Sequence, residues 1–387
     1  MFQALFNSLS GLFAFSKSLN TVSNNVANMN TPGFRGSDTF FENVDGGRGT
    51  RIAGEGLRTG AGDLRQTGTP TDLAITGNGY FILRDDSGNL YYTRAGQFRF
   101  NDQGILSDSV TGYSVMSIDS AGNLSTIDLD AYRTLPPQAT TAVNMVGNIA
   151  PGQATVTVGS MRVYDASGQL HTLTATLTDN TAVTPGSYLV TVKDEAGTIV
   201  SAANAEVRFG TDGTPQVGYN TLTLNATYQG TAQAITMNFG SPGAFDGATR
   251  LSGIATNLGS QVVDGHPLLG VTNLSFDDKG VLQLIYSSSE KRSGPQVALA
   301  SFPNESQLEL VGGRLIAGNT VQQREIGRPG EGIFGKIAGG SLELANVDLT
   351  QEFADMIIIQ RGYQASSRVM TVSNQMIEEL YNSTRGG

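Results

Sequence analysis

Two histidines, His171 and His266, are the chain's only imidazoles, and neither has an Asp or Glu beside it at a metal-ligand spacing, so no zinc site is expected. The absence of cysteine removes thiol nucleophiles, disulfides and thiolate ligands together. The stretches Gly46-Gly47-Arg48-Gly49 and Gly54-Glu55-Gly56 match neither GxxxxGK(S/T) nor GxGxxG, which leaves them as flexible linker. Acidic turns such as Asp85-Asp86-Ser87-Gly88-Asn89 lack the twelve-residue spacing and closing Glu of a calcium loop. The 34 Asp and Glu show no pairing that favours acid–base work. Catalytic, cofactor-binding and metal-binding residues are therefore all expected to be none. His171 reads as a partly exposed hairpin residue, and His266, before Pro267, as a turn residue.

The elements around these residues point to structure rather than chemistry. Asp-x-x-Gly recurs at Asp85–Gly88, Asp119–Gly122, Asp165–Gly168, Asp194–Gly197 and Asp277–Gly280, with Asn101–Gly104 as a variant. The Asp or Asn accepts a backbone hydrogen bond and the Gly takes positive φ, which closes a hairpin. Flanking runs such as Tyr80-Phe81-Ile82-Leu83 and Leu90-Tyr91-Tyr92-Thr93 are aromatic and β-branched strands. The middle of the chain is thus expected to be mostly antiparallel β, as two nested antiparallel domains.

Both ends carry a different period. Phe2, Leu9, Ser16 and Ser23 recur every seven residues, and Leu5, Leu12, Leu19 and Val26 repeat three places on. Near the other end Leu349, Met356, Tyr363, Met370 and Ile377 form one row, and Glu352, Ile359, Ser366, Ser373 and Leu380 a second. Asp348 and Gln351 read as an N-cap with its capping-box partner. Residues 1–29 and 348–387 are expected to be helices that pack as a coiled-coil pair, either on one globular core or inside a larger assembly. Both exceed the usual globular helix, which favours assembly.

At 387 residues and 39% hydrophobic, the chain can bury at least two cores. The 49 glycines and only 15% charged residues suit many short strands and tight turns. A net charge of -10 without any Lys/Arg run argues against nucleic-acid binding. The N-terminus has no basic region before its apolar residues, and no uninterrupted apolar run is long enough to span a bilayer, so neither a cleaved signal peptide nor membrane insertion is expected. The predicted organisation is a terminal helical domain (1–29 and 348–387), an extended linker (30–70), an inner β domain (71–146 and 271–347) and an inserted outer β domain (147–270).

Asn24-Asn25-Val26-Ala27-Asn28 with Asn30-Thr31-Pro32-Gly33-Phe34-Arg35 resembles the signature of the axial proteins of the bacterial flagellum, the rod and hook proteins. Asp72–Phe81, including Gly77 and Gly79, and Tyr92–Phe98 resemble the motifs opening that family's inner β domain. Leu342-Glu343, Asn346-Val347-Asp348-Leu349 and Gln360-Arg361-Gly362-Tyr363-Gln364 resemble its C-terminal signature. The likeness runs in order across nearly the whole chain. Val163–Leu173 is similar to a strand-turn-strand of the hook branch's outer domain, which the shorter rod members lack. A departure falls at Tyr286-Ser287-Ser288-Ser289-Glu290-Lys291, where hook members commonly carry a Tyr-Ser-Asn-Gly-like turn.

The resemblance implies a non-enzymatic structural subunit that polymerises into the hollow, flexible hook, a universal joint carrying torque from rod to filament. A distal-rod-type axial protein is the alternative; a secreted β-rich binding module is disfavoured, because sugar platforms favour the Trp this chain lacks. The implied partners are further copies in a homopolymer, the distal rod protein, the hook cap, the hook–filament junction protein and the flagellar export apparatus. The implied location is the extracellular hook and basal body, reached without a cleaved signal. On this basis Phe2, Leu5, Leu9, Leu12, Leu19, Val26, Leu349, Met356, Ile359, Tyr363, Met370, Ile377 and Leu380 are the assembly residues. Asn24, Asn25, Asn28, Thr31, Gly33, Phe34, Gly77, Gly79, Asn346, Asp348, Gln360 and Arg361 are the family-motif residues.

Overall fold

The computed structural model describes residues 2–44, 49–201, 205–303, 305, 308, 310–311, 314–317 and 324–385, with the backbone alone for Phe2, Leu310, Val311 and Arg385. The chain is mainly β, with one long helix at each end, α1 (Phe2–Ala27) and α2 (Leu349–Arg385). It divides into two compact units, Met1–Arg133 with Thr272–Gly387, and Thr134–Val271.

In the first unit the strand Tyr80–Arg84 is buried on both faces, as its unbroken apolar run requires. It pairs antiparallel with Leu90–Thr93, Ser114–Ile118 and Leu299–Ser301. Tyr80 and Ile82 face a core containing Tyr92, Met116, Ala300 and Phe302, where the Tyr92 and Phe302 rings meet edge to face at 4.9 Å. Phe81 points elsewhere and packs edge-on against Phe98 at 5.0 Å.

The second unit holds a four-stranded antiparallel sheet, Thr155–Tyr164, Leu170–Asp179, Ser187–Lys193 and Glu206–Arg208. A five-stranded sheet contains Ala142–Asn148, Thr221–Tyr228, Thr231–Asn238, Ala248–Thr249 and Gly259–Val262. Their alternating apolar residues, among them Met145, Val163, Leu173, Leu177, Leu224 and Ile235, join in one core. This unit is not purely antiparallel as expected: Ala142–Asn148 runs parallel to Thr231–Asn238 and to Ala248–Thr249. The cause is connectivity, since the first sheet intervenes in sequence and provides the long crossover that parallel pairing needs.

The six turns close as their sequence requires. At Asp165 the Gly168 N–H donates to the Asp carbonyl at 3.0 Å, and Oδ1 accepts the Gln169 N–H at 2.9 Å. Gly168 has φ +83, which a side chain would strain.

Two boundaries differ from expectation. The segment 30–70, expected as an extended linker, contains an antiparallel hairpin of β1 (Ser37–Asn43) and β2 (Thr50–Leu57), together with β3 (Leu64–Gln66), which pairs with Ser341–Glu343. A bulge between Phe40 and Phe41 interrupts the strand alternation, which hides the hairpin from pattern reading. Residues Gly46, Gly47 and Arg48 of the glycine-rich stretch lie outside the described residues. The second unit begins at Thr134 rather than at 147, because Thr134–Leu135 pairs with Leu269–Gly270 and Ala142–Asn148 is a strand of that unit's own sheet.

Candidate functional site

The two helices pack antiparallel. Gly11 lies against Ser366, the Phe15 ring covers Gly362, and the Asn25 amide donates to Glu352 Oε2 at 3.1 Å. A Cβ at Gly362 would stand 2.5 Å from Phe15 Cζ, and one at Gly11 3.1 Å from Ser366 Oγ. Small residues at these positions let the two backbones approach closely.

On α1 the buried face is Ser8, Gly11, Ala14, Ser18, Thr21, Val22 and Asn25. That face lies one residue ahead of the predicted stripe, a rotation of about 100°. Leu5, Leu12, Leu19 and Val26 are half-buried along its flank, while Leu9, Ser16 and Ser23 are exposed. The side chain of Phe2 lies outside the described residues. The seam selects the smallest side chains, and the leucines are displaced to its edge.

On α2 Glu352, Ile359 and Ser373 are buried and Leu349, Met356, Ser366, Met370 and Ile377 half-buried, whereas Tyr363 and Leu380 are exposed. Gly362 takes the position beside Phe15 that the heptad count gives to Tyr363. At about 1.5 Å per residue α2 is roughly 16 Å longer than α1 and, in this register, runs past its start. Gln360 and Arg361 are exposed.

Away from the seam both helices present large apolar residues: Phe6 and Phe13 on α1, with Phe13 69% exposed, and Ile358, Val369, Val372 and Met376 on α2, with Ile358 65% exposed. No described helix is long and apolar enough to cross a membrane.

Below the pair, most family-motif residues converge. Asn28 closes α1 by donating its side-chain amide to the Asn24 carbonyl at 3.0 Å, and its own carbonyl accepts the Thr31 N–H at 2.9 Å. Gly33 follows with φ +69, against the backbone of Ala95, where a Cβ would lie 2.3 Å from the Ala95 nitrogen. Phe34 is buried. Asn346 joins both ends of the chain: its Oδ1 accepts the Gly36 N–H at 2.8 Å and its amide donates to the Arg58 and Gly60 carbonyls. Asp348 caps α2, its Oδ1 accepting the Thr350 N–H at 2.8 Å. The expected capping box does not form, because the Gln351 amide donates to Asp355 instead.

Two ion-pair clusters hold this junction. Glu343 is shared by Arg94, at 2.8 Å, and Arg35, at 3.2 Å, all three side chains being almost wholly buried. Arg94 also donates to the carbonyls of Ile75, Gly77 and Gly79, and Arg35 to those of Thr59 and Gly60. Those carbonyls supply the extra acceptors that a second buried cation needs. Burial first, then the Arg94 charge, pull Arg35 below the ordinary arginine pKa, while Glu343 opposes them. The second cluster sets Arg58 between Asp38, at 2.8 Å, and the fully buried Glu352, at 2.5 Å. Bonding to Asp38, opposed by burial and reinforced by Glu352, raises the Arg58 pKa.

Arg35, Arg94 and Glu343 stand in three separate sequence motifs with nothing to mark that they meet, Glu352 falls in the helix stripe without a visible partner, and Arg58 belongs to no motif. An available signal was a carboxylate at a stripe position predicted to be buried, which demands a cation. His266 is buried, its Nδ1 2.8 Å from the Pro267 carbonyl oxygen, and among the described residues no group of three or more His, Asp or Glu is arranged to hold a metal.

Three family models match the chain in order. They are flagella basal body rod protein at residues 5–35, flagellar hook protein FlgE/F/G D1 domain at 74–150, and flagellar basal body rod FlgEFG protein C-terminal at 338–383. The flagellar hook protein FlgE of Borreliella burgdorferi is 26% identical, over 98% of this chain and 99% of its own. That of Treponema pallidum is 27% identical over 100% of both chains, and that of Salmonella typhimurium 27% over 97% of this chain and 98% of its own. Matches to the axial-protein signatures at both ends, and to hook proteins along the full length between them, show that the chain belongs to the flagellar rod and hook protein family as a hook protein.

Proposed function

We propose that α1 and α2 act as an antiparallel coiled-coil pair whose outer apolar residues are buried by neighbouring copies, forming the inner wall of the hook tube. The observation that carries this is the apolar surface left outside the intramolecular seam, with Phe6 and Phe13 on one helix and Ile358, Val369 and Val372 on the other. Surface of this kind on a subunit is favoured to associate, at roughly 25 cal/mol for each Å² removed from water. The flanking leucines and Tyr363 and Leu380 extend the same surface.

The chain is a structural hook subunit, and bending while rotating asks it to combine rigid parts with compliant connections. The second unit is inserted in the sequence of the first, which the chain leaves at Arg133 and re-enters at Thr272, and each unit serves as one of the rigid parts. The homopolymer would meet the distal rod protein at one end and the hook cap, then the hook–filament junction protein, at the other, after passage through the export apparatus to the cell exterior.

Phe13→Asp and Ile358→Asp test the assembly surface. Each should leave the monomer's circular dichroism and melting temperature close to wild type, because both positions are exposed, and should abolish tubes in negative-stain micrographs of concentrated protein. Tubes forming as in wild type would refute the assignment.

A further inference from the structure

We propose that His171 is a charged clasp between the two sheets of the second unit, closed while its imidazole is doubly protonated and loosened by alkaline pH. His171 Nδ1 lies 2.9 Å from Glu195 Oε1, and Nε2 lies 3.2 Å from Asp165 Oδ2. The ring stacks on Tyr228 with centroids 3.8 Å apart and planes 15° apart. Asp165 comes from the turn before the histidine's own strand, Glu195 from the turn that follows Ser187–Lys193 in the same sheet, and Tyr228 from the other sheet. One side chain thus joins two turns and two sheets.

Ionised carboxylates only accept hydrogen bonds, and a neutral imidazole has a single donor. Asp165 is ionised at neutral pH: bonds from Ser167, Gln169 and His171 overcome burial and hold its carboxyl at about 2. Glu195 also accepts the Thr172 N–H at 3.1 Å, and bonding to His171 lowers its pKa despite burial. With ionised carboxylates on both sides, both contacts are hydrogen bonds only when both ring nitrogens donate, that is, when the ring is an imidazolium.

The groups facing it are Asp165 from one turn, Glu195 from the other and Tyr228 from the second sheet, with Asp194 beside Glu195 acting on Tyr228. The Tyr228 hydroxyl stays neutral, pushed up to about 12 by burial and then by Glu195, Asp194 and Asp165. Loss of the imidazolium proton would leave one carboxylate facing a lone pair across a short contact. Burial alone lowers the His171 pKa, but the bonds to Glu195 and Asp165 raise it above 6.5 on balance. A raised folded value means that the stabilisation is complete below the ordinary pKa and is lost as pH climbs through the folded one.

The test uses the full chain. Imidazole resonances are titrated by NMR, the two histidines being separated with His171→Gln, and amide exchange of peptides spanning 165–173 and 194–198 is followed from pH 5 to 10. The His171 midpoint should lie above 6.5, and Glu195→Gln, at a half-exposed side chain, should move it down while leaving the fold intact. Protection of both peptides, corrected for intrinsic exchange, should fall through that midpoint in wild type and show no such step in His171→Gln. A midpoint at or below 6.5, no response to Glu195→Gln, or a protection step that survives in His171→Gln would overturn the proposal. Because Glu195→Gln is read independently, a His171 variant that fails to fold still leaves a decisive result.

Discussion

Glu343→Gln isolates the buried charge at the base of the helices. The substitution keeps shape but removes the carboxylate that, among the described residues, pairs with both Arg35 and Arg94, whose side chains are 6% and 2% exposed. Gln can still accept from one arginine or from the Gly62 N–H, which bonds Glu343 Oε1 at 3.0 Å in the native protein. It cannot neutralise two guanidinium groups that burial does not deprotonate. Breaking a buried pair by deleting one partner costs about 3–5 kcal/mol, and two orphaned cations place this case toward the upper end. In a domain of this size each kcal/mol moves the midpoint by about 2–4 °C, so a fall of about 10–20 °C is expected. Hydrogen exchange against urea reads the two units separately. Peptides from 73–100 and 336–346 should lose protection, while those from 155–193 stay as in wild type. Glu42→Gln is the control, because the Glu42–Arg51 pair is exposed and worth about 0–1 kcal/mol. If Glu343→Gln destabilises no more than Glu42→Gln, or loosens both units equally, the triad is not what holds the junction.

The helix seam makes two further predictions. Gly362→Ala would raise stability by about 1 kcal/mol on helix propensity alone; the added Cβ meets the Phe15 ring, so thermal melts should show no gain, and a full gain would mean that the helices do not touch there. Asp348→Ala removes the α2 N-cap and should lower stability by about 1 kcal/mol in denaturant titrations, with no change in slope. A loss below a few tenths of a kcal/mol would show that the cap bond to Thr350 carries nothing. The exposed-face variants Phe13→Asp and Ile358→Asp and the His171 titration complete the set.

Local chemistry was legible wherever it stayed local. The Asp-x-x-Gly turns and the capping aspartate of α2 each depend on residues within a few positions of one another, and the structure forms them as written. The α1 seam was not legible, because heptad counting weights large apolar residues, whereas close antiparallel packing selects Ser8, Gly11 and Ser18. The 37–57 hairpin was missed through its bulge, and the parallel pairing of Ala142–Asn148 because strand direction depends on where the chain returns.

The sequence by itself determined that this is a β-rich chain with long helical ends and, through its ordered motifs, a flagellar axial protein. These are properties of composition, period and neighbouring residues. Tertiary structure alone decided that Arg35, Arg94 and Glu343, up to 308 positions apart, share one buried cluster, that Asn25 meets Glu352, and that His171 sits between Asp165 and Glu195. Charge pairing across such separations depends on distances in space, and a one-dimensional pattern carries no measure of them.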